Sequence, residues 1–475
     1  MALKNKKSNF SEWYVESLIS GDFIDYSKVS GAYIYKPNSY SIWEHIQTFL
    51  DKKFKSDGVK NAYFPLLIPE NLLNKESKHV EGFSPEVAWV THTGKSKLSE
   101  RLAIRPTSET IMYDSYSKWI RSWKDLPLRL NQWANVVRWE FKHPTPFLRS
   151  REFLWQEGHS VFESRSEAEK EAFDIHSMYK EVYEKLLAIP VLSGVKSEKE
   201  KFAGAEKSLS LETIMPDGKA IQASTSHELG QIFSKAFKIK FLDKNEKKSI
   251  PYQNSWGIST RSIGIMLAVH GDDKGFVIPP KVAQNKIVIV PILFKGKEAP
   301  VLKKSNELTK LLKKYGTILD DRNDVSAGYK FNHWEVRGIP LRIEIGPRDL
   351  ENKAVTIVRR DNGNKESVKI NKLESRISEL LKIIQKEMYQ RAKFNLDNSI
   401  IHVDSIEELK TVVNSGKIAR AFWCGSIRSE EEIKKLTGAK SLTCNNIYEN
   451  PKFKDKSCFL TGDKPKFYAY FGKSH

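Results

Sequence analysis

Cysteine is scarce in this chain, with three among 475 residues. So few thiols in so long a chain set up no disulfide framework and fit a reducing compartment. Long apolar runs are absent as well, so no stretch reads as a membrane-spanning helix. The first residues, MALKNKKSNFSEWY, are basic but lack the apolar core and small-residue cleavage site of a secretory signal. A cytoplasmic location without membrane contact is the resulting expectation. Acidic residues are outnumbered, 59 against 78 basic, for a formal net charge of +19. Such an excess suits a polyanionic partner, because phosphate contacts supply much of the affinity for nucleic acid. Lysines on solvated helix faces such as 371–393 account for part of it, so charge alone is weak support. What the chain does have is 40% hydrophobic residues and enough length for two or three domains, an ordinary globular composition.

The most informative stretch is VRWEFKHPTPFLRSREF, from Val137 to Phe153. Residues 131–141 alternate as a strand, with Trp133, Val137, Trp139 and Phe141 on one face and Arg138 and Glu140 on the other. His143-Pro144-Thr145-Pro146 cannot continue a paired strand and reads as a loop. Beyond it Arg149, Phe153, Trp155, Glu157 and His159 share one face. If the two strands pair, arginine, acid and aromatic gather on one side. That set suits a nucleotide: guanidinium groups hold phosphates bidentately, and an aromatic ring takes the base. A salt-bridged amphipathic hairpin fits the same alternation.

The spacing adds a resemblance. Val137-Arg138-Trp139-Glu140, a loop, then Arg149 and Phe153 is similar to motif 2 of the class II aminoacyl-tRNA synthetases. The longer run WANVVRWEFKHPTPFLRSREFLWQEGH resembles the prolyl-tRNA synthetases of the archaeal and eukaryotic type, and the resemblance extends over nearly the whole chain. It implies an α/β (α+β) fold in three parts. Residues 1–283 form a catalytic domain on an antiparallel sheet. Residues 284–392 form a mixed α/β anticodon-binding domain. Residues 393–475 form a small α/β domain resembling the subtype's zinc-binding domain with ligands lost.

In chain order, 9–18 and 39–54 read as amphipathic helices, with a strand over 31–37 between them. The apolar segment NAYFPLLIP, 61–69, is broken by Pro65 and suits an edge. The resemblance makes it motif 1, part of a homodimer interface. Strands are expected over 87–92 and 102–105, then a helix from RPTSET to about Trp123. Thr107 or Ser108 suits the helix N-cap, and Glu109 complements the helix dipole. The resemblance implies that Thr107 and Glu109 receive the cationic secondary amine of proline. A long helix follows over 166–187, then EKEKFAG, 198–204, which resembles a substrate-closing loop with Phe202 as an apolar wall. Residues 219–224 read as a strand, and Thr225 to Glu228 has capping-box spacing that predicts a helix start. The resemblance places Gln222 and Thr225 near ATP and His227 near the proline ring.

WGISTRSIGIMLAV, 256–269, puts Arg261 at the head of a very apolar helix, where a charge is costly unless it meets an anion. It resembles motif 3, whose arginine contacts the ATP γ-phosphate. Only about 100 residues separate Phe153 from Arg261, the size of one small domain. The stretch is already used by a helix and strands, so no inserted editing domain and no hydrolysis of alanyl-tRNA are expected. KIVIVPILF, 286–294, is apolar throughout, as a strand buried on both faces is, and alternating helices and strands follow. Arg342, Arg348, Arg359 and Arg360 are candidates for anticodon contacts. In the tail, Cys424 and Cys458 stand at two of the four zinc-ligand places of the subtype, and Ser429 and Thr461 at the others. Two thiolates cannot close a tetrahedral site, so no structural zinc is expected, and no side chain is assigned as a metal ligand.

The resemblance implies activation of L-proline by ATP to prolyl-adenylate, then transfer to the 3′ end of tRNA(Pro). Arg138 and Arg261 carry the catalysis. ATP is held by Arg138, Glu140, Arg149, Ser150, Phe153, Gln222, Thr225 and Arg261, with Mg²⁺ on its phosphates. Proline is enclosed by Thr107, Glu109, Arg138, Trp155, Glu157, His159, Phe202 and His227. Two alternatives remain. One is another class IIa synthetase, for threonine, glycine or histidine, of which threonine and histidine would need polar or metal ligands for their side chains. A non-catalytic tRNA-binding paralogue would be expected to have lost phosphate-binding arginines.

Overall fold

The computed structural model describes residues 3–77, 86–140, 142–445 and 453–475. Among them the architecture is mixed α/β around an eleven-stranded sheet. Its middle is a run of long antiparallel strands. In spatial order these are Lys207–Ile214, Ala220–Gly230, Tyr252–Ser259, Glu152–Phe162 and Leu128–Val137. Lys60–Asn61 adds a short parallel edge beside Leu128–Val137. At the other side Leu192–Val195 joins the middle to strands from the C-terminal segment, through a pairing of Val195 with Cys444. The C-terminal segment therefore extends the same sheet instead of building a separate one.

Helices cover one face. Arg165–Glu181 starts on a capping box, Ser164 with Glu167, and buries Ala172, Ile175 and Tyr179 against the sheet. It continues into a wider turn over Val182–Leu186. Arg261–His270 is apolar almost all round, and it is buried accordingly between the sheet and the N-terminal helices Phe10–Ser20 and Pro37–Ser56. Trp256 lies flat over Gly158, its cross-strand partner. A Cβ at Gly158 would meet the indole carbons at 2.1–2.3 Å, so the sheet closes on this ring only with glycine there.

A second sheet of five strands is ordered Ile318–Leu319, Ile287–Pro291, Leu341–Ile345, Ala354–Arg359 and Lys365–Lys369. The first three are parallel, and Ile287–Pro291 is buried throughout, as its unbroken apolar run requires. The helix Leu373–Asn398 packs on it through Ile377, Leu380, Ile384 and Met388. Arg360 grips Asp272 with both arms at 2.7 Å and so ties this sheet to the end of Arg261–His270. Among the described residues no helix is long and apolar enough to cross a membrane.

Three local expectations need correction. The strand expected over 131–141 ends at Val137, so Arg138 and Glu140 lie beyond it and do not share a strand face; Phe141 lies outside the described residues. Thr225 opens no helix. Ala220–Gly230 is one continuous strand, hydrogen-bonded on both sides, and two ladders override the capping-box spacing. Ser108 does occupy the N-cap position of Glu109–Trp119, but its hydroxyl donates to Glu157 and makes no cap bond.

Three of the four candidate anticodon arginines are already paired within the fold. Arg342 meets Glu335 and Glu344, Arg359 meets Asp361 and Glu387, and Arg360 meets Asp272. Arg348 is exposed. Around the Cys424 sulfur sit the hydroxyls of Ser429, at 3.5 Å, and Ser426, at 3.6 Å. Burial pushes this thiol up, but hydrogen bonds from Ser429, Ser426 and Thr461 outweigh it and bring it to about 7. Cys444 is fully buried in the hydrophobic core, which raises its pKa.

Candidate active site

Two adjoining cavities open on the sheet, of about 700 and 980 Å³, and share Lys196, Glu200, Gln222 and Arg261 on their walls. The smaller is floored by the middle strands, whose successive residues deliver side chains at fixed intervals. Phe153, Trp155, Glu157 and His159 come from Glu152–Phe162, Thr225 and His227 from Ala220–Gly230. Thr107 and Glu109 enter from the head of Glu109–Trp119, Arg138 and Glu140 from the end of the motif 2 strand, and Phe202 from the loop over 198–204.

At one end lies a buried polar cluster. Oxygen and nitrogen atoms of Glu109, Glu157 and His159 sit within 4.8 Å of one another. Glu157 accepts from the Ser108 backbone N–H at 3.2 Å, from the Ser108 hydroxyl, from Gln132 at 2.9 Å and from His159 Nε2 at 3.2 Å. Burial pushes the Glu157 carboxyl up, yet these bonds outweigh it and hold it below its usual range. Burial likewise lowers the His159 imidazole, but the Glu157 hydrogen bond and the Glu109 and Glu157 charges outweigh it and raise it overall. Its Nδ1 meets the Tyr113 hydroxyl at 2.9 Å. Glu109 accepts from the Thr107 hydroxyl and has further lone pairs in reserve. With Glu157 and His159 already bonded to protein, the group suits an ammonium that donates hydrogen bonds better than a metal ion needing open lone pairs.

Apolar walls flank this end. Phe202 stacks on His227, with ring centroids 4.7 Å apart. Burial and the nearby His159 charge depress the His227 imidazole to about 3, so it is neutral, and its Nδ1 meets the Ser208 hydroxyl at 2.8 Å. The buried Trp155 indole N–H and the Ser224 and Ser255 hydroxyls, all on this wall, have no hydrogen-bond partner among the described residues. Buried polar groups are normally satisfied, so these await a ligand or water.

At the other end guanidinium groups converge. Arg138 donates to the Pro106 carbonyl at 3.0 Å and lies over the rings of Phe153 and Trp155, at 5.6 and 5.3 Å. Arg261 is held by the carbonyls of Leu148, 3.0 Å, and Gln222, 3.3 Å. Burial lowers its pKa, and the charges of Arg138 and Arg149 lower it further, while Tyr183 and Glu212 act the other way. Three cations kept this close make a seat for a polyanion. Arg149 reaches the larger cavity alone, because Thr145 and Arg149 bond each other's backbone and fold the motif 2 loop back. Ser150 lines neither cavity; it is buried beside Tyr35. Lys196, Glu200 and Ser208 escaped notice in the sequence, where each is one polar residue of a polar run without a motif of its own.

This fold and site define a class II aminoacyl-tRNA synthetase. The family model described as the class II core domain for G, H, P, S and T matches residues 90–270, and an anticodon-binding domain model matches 286–380. A model of the prolyl-tRNA synthetase C-terminus matches 406–475. The chain belongs to the prolyl-tRNA synthetases, the proline–tRNA ligases. It is 48% identical to proline–tRNA ligase of Alkaliphilus oremlandii over 98% of this chain and 96% of that one. It is 46% identical to the cytoplasmic proline–tRNA ligase of Arabidopsis thaliana, over 99% and 90%. The crystal structure of prolyl-tRNA synthetase from Cryptosporidium parvum complexed with halofuginone and AMPPNP superposes with a TM-score of 0.96. It is 47% identical and covers 99% of both chains.

Proposed function

We propose that this site activates L-proline with ATP and passes the prolyl group to tRNA(Pro). The observation that carries this reading is the pairing of a buried cluster of two carboxylates and an imidazole with converging guanidinium groups across a single cavity. The secondary ammonium of proline donates to Glu109 and Thr107, beside the Glu157–His159 pair. Its ring lies against Trp155, Phe202 and the neutral His227. Its carboxylate then points at Arg138, which also faces the α-phosphate. Attack by the carboxylate on the α-phosphorus forms prolyl-adenylate and releases pyrophosphate; no protein group becomes covalently bonded. Catalysis is alignment and charge neutralisation. Glu140 takes the adenine amino group, Phe153 stacks on the base, Gln222 and Thr225 flank the nucleotide, and Arg149 and Arg261 hold the outer phosphates.

Magnesium belongs to the same proposal. It arrives with ATP, and Glu200 is a carboxylate on the phosphate side that accepts a hard cation. A homodimer is supported by apolar side chains left exposed near the Lys60–Asn61 edge, Tyr63, Leu67 and Trp119. A cytoplasmic location and domain limits at 1–283, 284–392 and 393–475 complete the proposal.

Amino-acid-dependent ATP–pyrophosphate exchange, run with all twenty amino acids, tests it. Exchange driven by proline and lost in Arg138→Ala is the expected result. No exchange with any amino acid would leave only a tRNA-binding paralogue.

A further inference from the structure

We infer that Lys196 is a further phosphate-binding residue of this site, positioned by Glu212 and by a backbone carbonyl of the C-terminal segment. The inference rests on the nucleotide reading above.

Lys196 directly follows the strand Leu192–Val195 and lies on the wall common to both cavities, beside Arg261 and Gln222. Its side chain is 8% exposed and that of its partner Glu212 is 2% exposed. The ammonium donates to Glu212 Oε1 and to the Leu442 carbonyl at 2.7 Å. Two of its three donors are thus fixed, and the third has no acceptor among the described contacts. An ion pair this buried costs desolvation that its own attraction need not recover, so it is weak as a device for stability alone. Its place on a cavity wall gives it another use.

Glu212 serves more than the lysine. Its Oε1 accepts from the Ser210 hydroxyl at 3.1 Å, and that hydroxyl accepts from Gln222 Nε2 at 3.4 Å. The backbone carbonyl of the same Gln222 accepts from Arg261. Gln222 therefore touches both the Glu212 network, through its side chain, and the Arg261 guanidinium, through its backbone. Glu212 also lies near enough to Arg261 to offset part of the repulsion from Arg138 and Arg149. Lys196 joins Arg261 on the wall common to both cavities, with Arg149 on the larger and Arg138 on the smaller, so a fourth cation stands where the outer phosphates would lie. A lysine ammonium is a compact charge with rotatable donors and suits a phosphate whose oxygens shift as pyrophosphate departs. Arginine's rigid fork suits the fixed α-phosphate better.

The test is proline-dependent ATP–pyrophosphate exchange on Lys196→Met, Lys196→Arg and Glu212→Gln. Exchange by the unmodified protein comes first, and its absence would sink the nucleotide reading itself. Given that exchange, Lys196→Met should raise KM for ATP and for pyrophosphate by about tenfold to a hundredfold, the range of one charge-assisted hydrogen bond. KM for proline should stay within about twofold. Lys196→Arg should recover most of the loss, and Glu212→Gln should fall between. Should Lys196→Met fail to fold, Lys196→Gln, whose amide can still donate to Leu442, carries the same expectation. ATP and pyrophosphate KM values left within about twofold would overturn the inference. So would an equal rise in the proline KM, which marks a loosened pocket.

Discussion

In the proposed site, Glu109→Gln isolates the charge by which an amine would be recognised. Three ionisable side chains meet there, and two are bonded to each other: hydrogen bonds hold the Glu157 carboxyl below its usual range, and the His159 imidazole beside it is raised. Glu109 is the second carboxylate, and its charge helps to raise His159. Glutamine keeps the length of the side chain and an oxygen for the Thr107 hydroxyl, so the pocket keeps its shape. Only the charge is removed. A hydrogen bond to a charged partner is worth about 1.5–3 kcal/mol, and breaking a buried pair costs about 3–5. KM for proline should therefore rise between about tenfold and a thousandfold. KM for ATP, bound at the guanidinium end, should stay within about twofold. Exchange kinetics with each substrate varied in turn would measure both. A second readout is the His159 imidazole, which should titrate at lower pH by NMR once the Glu109 charge is gone. A proline KM within about twofold of wild type, or an ATP KM rising in step with it, would refute the charge argument.

The remaining predictions concern stability. His176 and His227, both lowered to about 3 by burial first, and His270, lowered to about 4, stay neutral in the fold but bind protons near 6.5 when unfolded. The unfolded state then holds more protons, so stability is full above pH 6.5 and falls as pH drops below it, by about 1.4 kcal/mol per unit for each histidine. Urea midpoints at pH 7 and pH 5 should show this, and His176→Asn should remove about one proton's share of the slope; an unchanged slope would contradict it. Asp272→Asn leaves Arg360, 3% exposed, facing a neutral partner, and should cost about 2–3 kcal/mol after allowing for the half-exposed aspartate. Denaturant unfolding measures that, and a loss under about 0.5 kcal/mol would show the strap to be idle. Gly158→Ala drives a methyl group into the Trp256 ring and should cost about 3 kcal/mol, read as a lower melting temperature; an unchanged melt would mean that the indole can move.

Much of this layout could be read from residues. The buried strand Ile287–Pro291 was legible because it lies in a run of eight apolar residues, with no alternation to mark a solvent face. Arg261 was legible because a guanidinium heading an apolar helix calls for an anion, and three arginines do converge there. Arg149 and Ser150 show where adjacency in sequence misleads. They are neighbours in one loop, yet the Thr145–Arg149 bridge turns the first to the larger cavity and the second into the interior. No periodicity announces such a bridge, because a short irregular loop repeats nothing.

The harder failures share one physical cause: partners distant in sequence outbid local preference. Thr225-Ser226-His227-Glu228 has the spacing of a helix cap, worth about 1 kcal/mol. Its neighbours supply a hydrogen-bond ladder on each side, and the summed bonds and buried contacts of two ladders exceed one cap. The strand matters for function, since side chains two residues apart then share a face and Thr225 and His227 reach one cavity. Ser108 repeats the lesson on a smaller scale. Its oxygen could accept a cap bond from the head of Glu109–Trp119, but the hydroxyl instead donates to Glu157 and accepts from Gln132 at 3.1 Å. Lys196 is the limiting case. In sequence it is one lysine of a basic stretch, and its acceptor is a carbonyl 246 positions away. Only the closure of the sheet between Val195 and Cys444 makes it a cavity residue. Residues defined by such closures stay silent in a single sequence, whereas residues that carry a local cost, as Arg261 does, announce themselves.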